Sequence, residues 1–117
     1  MTAGFESLRI YQLSLDGIVI IYKLIKKSPL NRDFALCDQI KRAVVSIALN
    51  IAEGYGRRSK KDFAQFVSIS IGSCNEVYTI LNVIGLVYPS IDVSKEKDYF
   101  DSLGKQIFSF RKSLRVN

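Results

Sequence analysis

The stretch that decides the fold covers residues 33–56, DFALCDQIKRAVVSIALNIAEGYG, and contains no proline. Its large apolar residues recur every three or four positions, which places them on one face of a helix. This stripe consists of Leu36, Ile40, Val44, Ile47 and Ile51. We predict a helix over residues 33–55, ended by Gly54 and Gly56, because glycine readily adopts the left-handed conformation at helix ends.

Three further amphipathic helices flank this one. The first is predicted over residues 7–27 and stops at Ser28-Pro29, since a residue before proline disfavours helix. The third begins at Ser59, where Ser59-Lys60-Lys61-Asp62 resembles a capping box, and ends before Pro89. The fourth starts near Asp92 or Ser94, either of which can cap a helix.

Each flanking helix carries its own predicted core stripe. The first stripe is Leu8, Tyr11, Leu15, Ile18, Tyr22 and Ile25. The third helix has Phe63, Phe66, Ser70, Cys74, Val77, Leu81 and Ile84, with small residues at its centre (Ser70, Gly72, Ser73, Cys74) that admit a close neighbour. The fourth has Phe100, Leu103, Ile107, Phe110 and Leu114. Short connections favour an all-α fold, an antiparallel up-down-up-down four-helix bundle, as a single domain over residues 1–117.

The composition leaves more apolar surface than one small core needs. Hydrophobic residues form 48% of the chain and the mean hydropathy is +0.12. Two helices carry apolar residues beside their stripes: Val45, Leu49 and Ala52 in the second, Val19 and Ile20 in the first. A helix that is apolar nearly all round is buried nearly all round. These residues therefore predict an interface between subunits of a homo-oligomer; the alternative is scattered surface aliphatics.

Several classes of protein are disfavoured by the same composition. No stretch approaches the ~18 consecutive apolar residues of a membrane span, and Glu6, Arg9 and Asp16 interrupt any signal peptide, so we expect a cytoplasmic protein with no membrane partner. The chain has no His, and its two cysteines, Cys37 and Cys74, are expected to be buried and inert. We predict no metal, no cofactor, no catalytic residues and no enzymatic activity.

Four polar residues stand in apolar surroundings on the second and third helices: Arg42, Asn50, Glu53 and Glu76. A buried carboxylate needs a partner, because burial of an isolated charge is costly. We expect Glu53 or Glu76 to pair with Arg42 or Arg57, and Asn50 to hydrogen-bond across helices. This structural polar network is weighed against a carboxylate active site or metal site.

The connection between the second and third helices is strongly basic. The chain has a net charge of +6 and a sequence pI of about 9.4, which favours a polyanionic partner. Four of these charges are Arg57, Arg58, Lys60 and Lys61, and they follow Tyr55. Basic side chains bind phosphates and a tyrosine stacks on bases, so we predict RNA or DNA binding here, assisted by Lys23, Lys26 and Lys27. The alternative is a solvated turn whose charges maintain solubility.

Several of the residues discussed above form a pattern that resembles the signature of a known protein family. The pattern Gln39-Ile40-x-Arg42-Ala43-x-x-Ser46-Ile47-x-x-Asn50-Ile51-Ala52-Glu53-Gly54-x-Gly56-Arg57, continued by Asp62-Phe63-x-x-Phe66 and Gly72-Ser73-x-x-Glu76, resembles the signature of the bacterial four helix bundle protein family. Phe5, Leu8 and Tyr11 fit its first helix. That family includes proteins encoded in intervening sequences of 23S rRNA genes.

The resemblance implies a homopentameric ring and kinship with accessory variability proteins of diversity-generating retroelements, which bind nucleic acid and partner a reverse transcriptase. It makes Arg42, Asn50, Glu53, Arg57 and Glu76 signature positions. The sequence thus favours a homo-oligomeric nucleic-acid-binding accessory protein. The alternative function is an oligomeric scaffold that binds another protein and no nucleic acid.

Overall fold

The computed structural model describes residues 4–116, in which four α-helices are joined by short connections. The helices are α1 (Arg9–Leu24), α2 (Phe34–Tyr55), α3 (Lys60–Val87) and α4 (Ser94–Ser113), with short 3-10 turns at Gly4–Ser7 and Leu30–Arg32. Each helix packs against the next, and α4 packs against α1 to close the bundle. No strand occurs in the described range, and the predicted all-α four-helix bundle is confirmed.

The core contains the predicted stripes of three helices. In α2, Ile40, Val44, Ile47 and Ile51 are completely buried, and Leu36 packs partly against them. In α3, Val77, Leu81 and Ile84 are buried, as are Phe100, Leu103 and Ile107 in α4. These helices follow the apolar periodicity because one stripe of each faces the common centre.

The predicted stripe of α1 is wrong in part. The buried residues are Ile10, Ser14, Gly17, Ile21 and Leu24, whereas Leu15 and Tyr22 are exposed. Small residues enter the core because α4 lies close: a Cβ added at Gly17 would stand 3.0 Å from the Phe100 ring. The hydroxyl of Ser14 is satisfied by donating to the Ile10 carbonyl at 2.6 Å, which permits its burial. α1 is also shorter than predicted at both ends.

The small centre of α3 admits a neighbouring helix, as predicted, and at Ser70 and Ser73 that helix is α2. Ser70 Oγ donates to the Ile47 carbonyl of α2 at 2.8 Å, and Ser46 and Ser73 share a hydrogen bond of 2.9 Å between the two helices. Gly72, in contrast, is exposed, and an added Cβ would have no heavy atom within 4 Å. Gly72 therefore plays no part in the contact with α2.

One helix, α3, is long and apolar enough by length and composition to cross a membrane. In the bundle it packs against both α2 and α4. Its buried residues, which include Val67, Val77 and Leu81, lie in the common core. The apolar composition of α3 is that of a helix with two packed neighbours.

Candidate nucleic-acid interface

The corner between α2 and α3 is formed by a close approach at Gly54. A Cβ at this position would lie 2.6 Å from Phe66 Cβ and 2.8 Å from Phe63 Cδ1. Gly54 is thus required for space. The expectation that Gly54 and Gly56 end α2 in the left-handed conformation is wrong, because Gly4 is the glycine with positive φ within the described chain.

The N-terminus of α3 is capped by Ser59, as the sequence predicts. Ser59 Oγ accepts a hydrogen bond from the Asp62 amide at 3.1 Å, which satisfies one of the free amides of the first turn of α3. Between Gly54 and Ser59 the chain turns sharply, with the Arg57 amide donating to the Gly54 carbonyl at 3.0 Å. This turn sets the direction in which the basic side chains extend from the bundle.

Arg57 is held by two neighbours. Its Nη2 lies 2.8 Å from Glu53 Oε2, and its guanidinium carbon lies 4.7 Å from the centroid of the Phe66 ring. This is one of the pairs expected from the sequence. The pair is about half exposed, so its contribution to stability is only about 0–1 kcal/mol. A guanidinium stacked on a ring nevertheless has its orientation fixed before any anion binds to it.

The other three basic residues of the connection extend into solvent. Arg58, Lys60 and Lys61 are exposed, and none of them forms an ion pair with residues 4–116. Lys60 and Lys61 occupy the first turn of α3, where the helix dipole disfavours positive charge. Helix stability therefore does not account for lysines at these positions.

Tyr55 lies within a series of aromatic side chains that covers this end of the bundle. Its ring makes edge contacts with Phe5 and Phe63, with centroid distances of 6.4 and 5.9 Å. The series continues from Phe5 to Tyr11 and from Phe63 to Phe110. Although Tyr55 is partly exposed, its ring has packing partners, so stacking on a base is a second role for it at most.

The end of α4 joins the same surface, which the sequence did not predict. Phe110 contacts Phe63 at 5.6 Å between centroids, and Arg111 Nε donates to Ser68 Oγ of α3 at 2.5 Å. We name the basic end of the bundle as residues 4–9, 53–62 and 110–116. It contains eight Lys and Arg side chains against three carboxylates. The predicted antiparallel arrangement already implies that Arg111, Lys112 and Arg115 lie at the same end of the bundle as Arg57 and Arg58.

The lysines that were expected to assist lie elsewhere. Lys23 is in the last turn of α1, and Lys26 and Lys27 follow it. The pKa of Asp92 is lowered first by its hydrogen bond from the Ser94 amide and also by the nearby charge of Lys27, which locates Lys27 beside the α3–α4 connection. We name residues 23–42 and 88–98 the opposite end. The longest dimension of the molecule is 45 Å, and the bundle separates these lysines from Arg57.

The expected polar network is divided among separate contacts. Arg42 pairs with Asp38 at 2.9 Å on the surface of α2, not with either glutamate. Asn50 Nδ2 donates to the carbonyl and hydroxyl of Ser46 within α2, and the link to α3 is made by Ser46 and Ser73. Glu76 is exposed on α3. Serines carry the contact between α2 and α3, among them Ser70 and Ser73, which the sequence analysis singles out for their small size and not for hydrogen bonding.

The residues predicted to form an oligomer interface lie on or near the surface. Leu49 is 62% exposed and Val19 is 53% exposed, while Val45, Ala52 and Ile20 are partly buried. Leu15, Val19 and Tyr22 follow one another by helical spacing on the exposed side of α1. Tyr22, Val45 and Leu49 line one groove between α1 and α2, together with the charged residues Asp38, Lys41 and Arg42. An apolar surface therefore extends over both helices.

The two cysteines are buried and free, as predicted. Burial raises the pKa of the Cys74 thiol to about 12. Desolvation also raises the pKa of Cys37, whose thiol donates to the Leu30 carbonyl at 3.2 Å. A thiol with a raised pKa carries little of the reactive thiolate at neutral pH. Residues 4–116 contain no group of three His, Cys, Asp or Glu residues placed to hold a metal ion.

A comparison with models of protein families identifies the family of this chain. The model of the family described as 23S rRNA-intervening sequence protein matches residues 6–109. The match includes all of α1, α2 and α3, most of α4, and the corner at Gly54. No curated protein matches the chain. Because the matched residues span nearly the whole sequence, the chain belongs to the 23S rRNA-intervening sequence protein family.

Proposed function

We propose that this protein is a non-enzymatic, homopentameric accessory protein of the cytoplasm that binds RNA or DNA electrostatically. The observation that carries the proposal is the basic end, where eight basic side chains face three carboxylates and Arg58, Lys60 and Lys61 extend into solvent. Lysines at a helix N-terminus oppose the helix dipole, so a phosphate ligand accounts for them better than helix stability does. The family name, 23S rRNA-intervening sequence protein, is loosely consistent with a role associated with nucleic acid.

The contacts of the basic residues support different proposed roles for Arg57 and for the other basic side chains. Arg57 is engaged by Glu53 and Phe66, so we assign it the role of positioning the turn and contacting one phosphate at its free edge. Arg58, Lys60 and Lys61 contribute solvent-exposed charges, and Arg111, Lys112 and Arg115 extend the surface. Contacts to phosphates fix orientation without reading sequence, so binding should be general. Assembly into a ring would repeat the basic end and increase avidity.

A salt titration of binding tests this function. In the variant with Arg58→Gln and Lys61→Gln, two phosphate contacts are lost. The slope of log affinity against log salt should then fall in magnitude by about 1.4–1.8, because each contact contributes about 0.7–0.9. The control carries Lys95→Gln and Lys105→Gln, which remove the same net charge outside the basic end. Equal slopes in the two variants would show that net charge alone drives binding.

The assembly is proposed from the apolar surface of α1 and α2. Leu49→Asp places a carboxylate at an exposed position, so the folded subunit should tolerate it while contact between subunits is lost. Light scattering should give a mass near five subunits for the parent and a single subunit for the variant. An unchanged mass would remove Leu49 from the interface.

A second candidate function rests on the same apolar surface. Exposed apolar areas of this kind also mark sites that bind other proteins, among which a reverse transcriptase is the partner implied by the family resemblance. A scaffold of this type would bind its protein partner with the charges of Arg58 and Lys61 removed. It would show no affinity for RNA or DNA even at low salt.

A further inference from the structure

A small hollow at the opposite end is lined by aromatic, cationic and amide side chains as well as aliphatic ones. It lies between the end of α1, the turn at Leu30–Arg32 and the start of α2, with a volume of about 380 Å³. Phe34 and Tyr22 flank it, and Ile25 and Cys37 are among its lining residues. Phe34 is 80% exposed, although it occupies the first turn of a helix whose other large apolar residues are mostly buried. Its ring has no role in the core.

Cations and an amide complete the rim of this hollow. Lys26 and Lys41 line it, as does Asn31, and Lys41 Nζ lies 6.0 Å from the centroid of the Tyr22 ring. Neither lysine forms an ion pair within residues 4–116. The nearby carboxylates have other partners: Asp33 accepts from Tyr88 Oη and the Leu36 amide, and Asp38 pairs with Arg42. Two positive charges are therefore available to a ligand.

The hollow is held in shape before any ligand arrives. The backbone N–H of Asn31 donates to the Lys27 carbonyl at 2.9 Å, and the Cys37 thiol donates to the Leu30 carbonyl at 3.2 Å. Leu30 is completely buried and anchors the turn in the core. A preformed cavity with rings, an amide and cations around it loses little entropy when it binds.

We infer that this hollow binds an unpaired nucleobase and its adjoining phosphate in a single-stranded nucleic acid, with the base stacked on Phe34. Lys26 and Lys41 neutralise the phosphate, and Asn31 hydrogen-bonds to the base edge. Aromatic rings with flanking cations are the means by which proteins hold single strands, because every base has a stacking face. Bases in a duplex are paired and stacked on one another, so they do not enter such a cavity. The inference rests on the proposed function, in that the ligand is nucleic acid, and it adds a preference for single strands.

The exposure of Phe34 gives a matched pair of variants. Leu86 is 81% exposed and lies near the end of α3, at the same end of the bundle but outside the hollow. Phe34→Ser should weaken binding of a short single-stranded RNA by about 5- to 150-fold, the range that one stacked base supplies. Leu86→Ser should leave that affinity unchanged, and Phe34→Tyr should retain it. A fluorescent purine analogue in the RNA should be quenched by the parent and by Phe34→Tyr.

The same titrations separate this inference from the proposed function. A blunt duplex should lose affinity in the Arg58→Gln, Lys61→Gln variant but not in Phe34→Ser. If the parent binds neither RNA, both proposals fail. If both RNAs bind and Phe34→Ser matches Leu86→Ser, the hollow is not a base site and the electrostatic function stands. If Phe34→Ser lowers the mass of the assembly in light scattering, the ring belongs to a subunit contact and the inference is overturned.

Discussion

The two ends of the bundle carry equal numbers of basic side chains and yet present different surfaces. Each end has eight, but the basic end has three carboxylates and the opposite end has five. At the opposite end, Asp33 and Asp38 are bound to Tyr88 and Arg42. The difference shows that a count of charges along the chain does not distinguish an extended anion-binding surface, such as the basic end, from a local one, such as the pair Lys26 and Lys41. The pairing of each charge and the polarity of the helix end that carries it do so.

The largest expected effect concerns the corner that forms the basic end. Gly54→Ala should lower the free energy of unfolding by about 1–3 kcal/mol, the cost of overpacking a filled site. The new Cβ would stand 2.6 Å from Phe66 Cβ, and Phe66 cannot retreat without moving α3. Urea unfolding measures the change.

Gly72→Ala is the matched control in the same pair of helices. An added Cβ meets no heavy atom within 4 Å, so the variant should gain helix propensity, about 1 kcal/mol at most. The two glycine variants should therefore change stability in opposite directions. Equal losses in both would mean that a factor shared by the two positions, such as contact between subunits, and not the distance to Phe66, governs them.

A smaller effect is expected at the opposite end, from the hydrogen bond that Tyr88 Oη donates to Asp33 at 2.7 Å. The bond from Tyr88 and the one from the Leu36 amide lower the pKa of Asp33 below its ordinary value of 3.8. A lowered pKa in the folded state stabilises the fold above the unfolded pKa, and this is lost as pH falls through the folded pKa. Tyr88→Phe should thus be less stable than the parent at neutral pH, with a difference that shrinks below about pH 4.

The control for Tyr88→Phe lies at the basic end. Tyr55→Phe also removes one phenolic hydroxyl, but no described hydrogen bond of Tyr55 is lost with it, because its contacts are made by the ring. Its unfolding free energy should follow the parent across the acidic range. A pH-independent loss in Tyr88→Phe would show that packing, and not the carboxylate, is responsible.

Sequence periodicity was sufficient for most of the fold and for part of the site. The stripes of α2, α3 and α4 could be read because large aliphatic or aromatic residues recur in each at helical spacing, with only Ser70 and Cys74 as small members in α3. α1 could not be read in this way, because its core contains Ser14 and Gly17 opposite Phe100, and small residues enter a core only where a neighbour is large. That complementarity belongs to two helices distant in sequence.

The site shows the same limit. Arg57 and Arg58 stand together in the sequence, whereas Arg111 reaches the basic end only through the antiparallel course of α4 and its bond to Ser68. Lys23 was grouped with them because charge was counted without regard to position. The exposed state of Phe34 has no sequence signal, because a phenylalanine at the start of an amphipathic helix is usually a core residue.

The smallest expected effect per side chain tests the comparison between the two ends directly. Replacing Lys60 and Lys61 by Glu puts negative charge at the N-terminus of α3, and replacing Lys23 by Glu puts it at the C-terminus of α1. The first change should raise the unfolding free energy by about 0.3–1 kcal/mol for each side chain, and the second should lower it by a similar amount. Both differences should diminish at high salt, because exposed charges are screened. Binding of RNA should fall in the Lys60 and Lys61 variant even though its fold is more stable. Such an opposition between stability and binding is expected only if these lysines are retained for a ligand. A variant that lost stability and binding together would instead make Lys60 and Lys61 part of the fold.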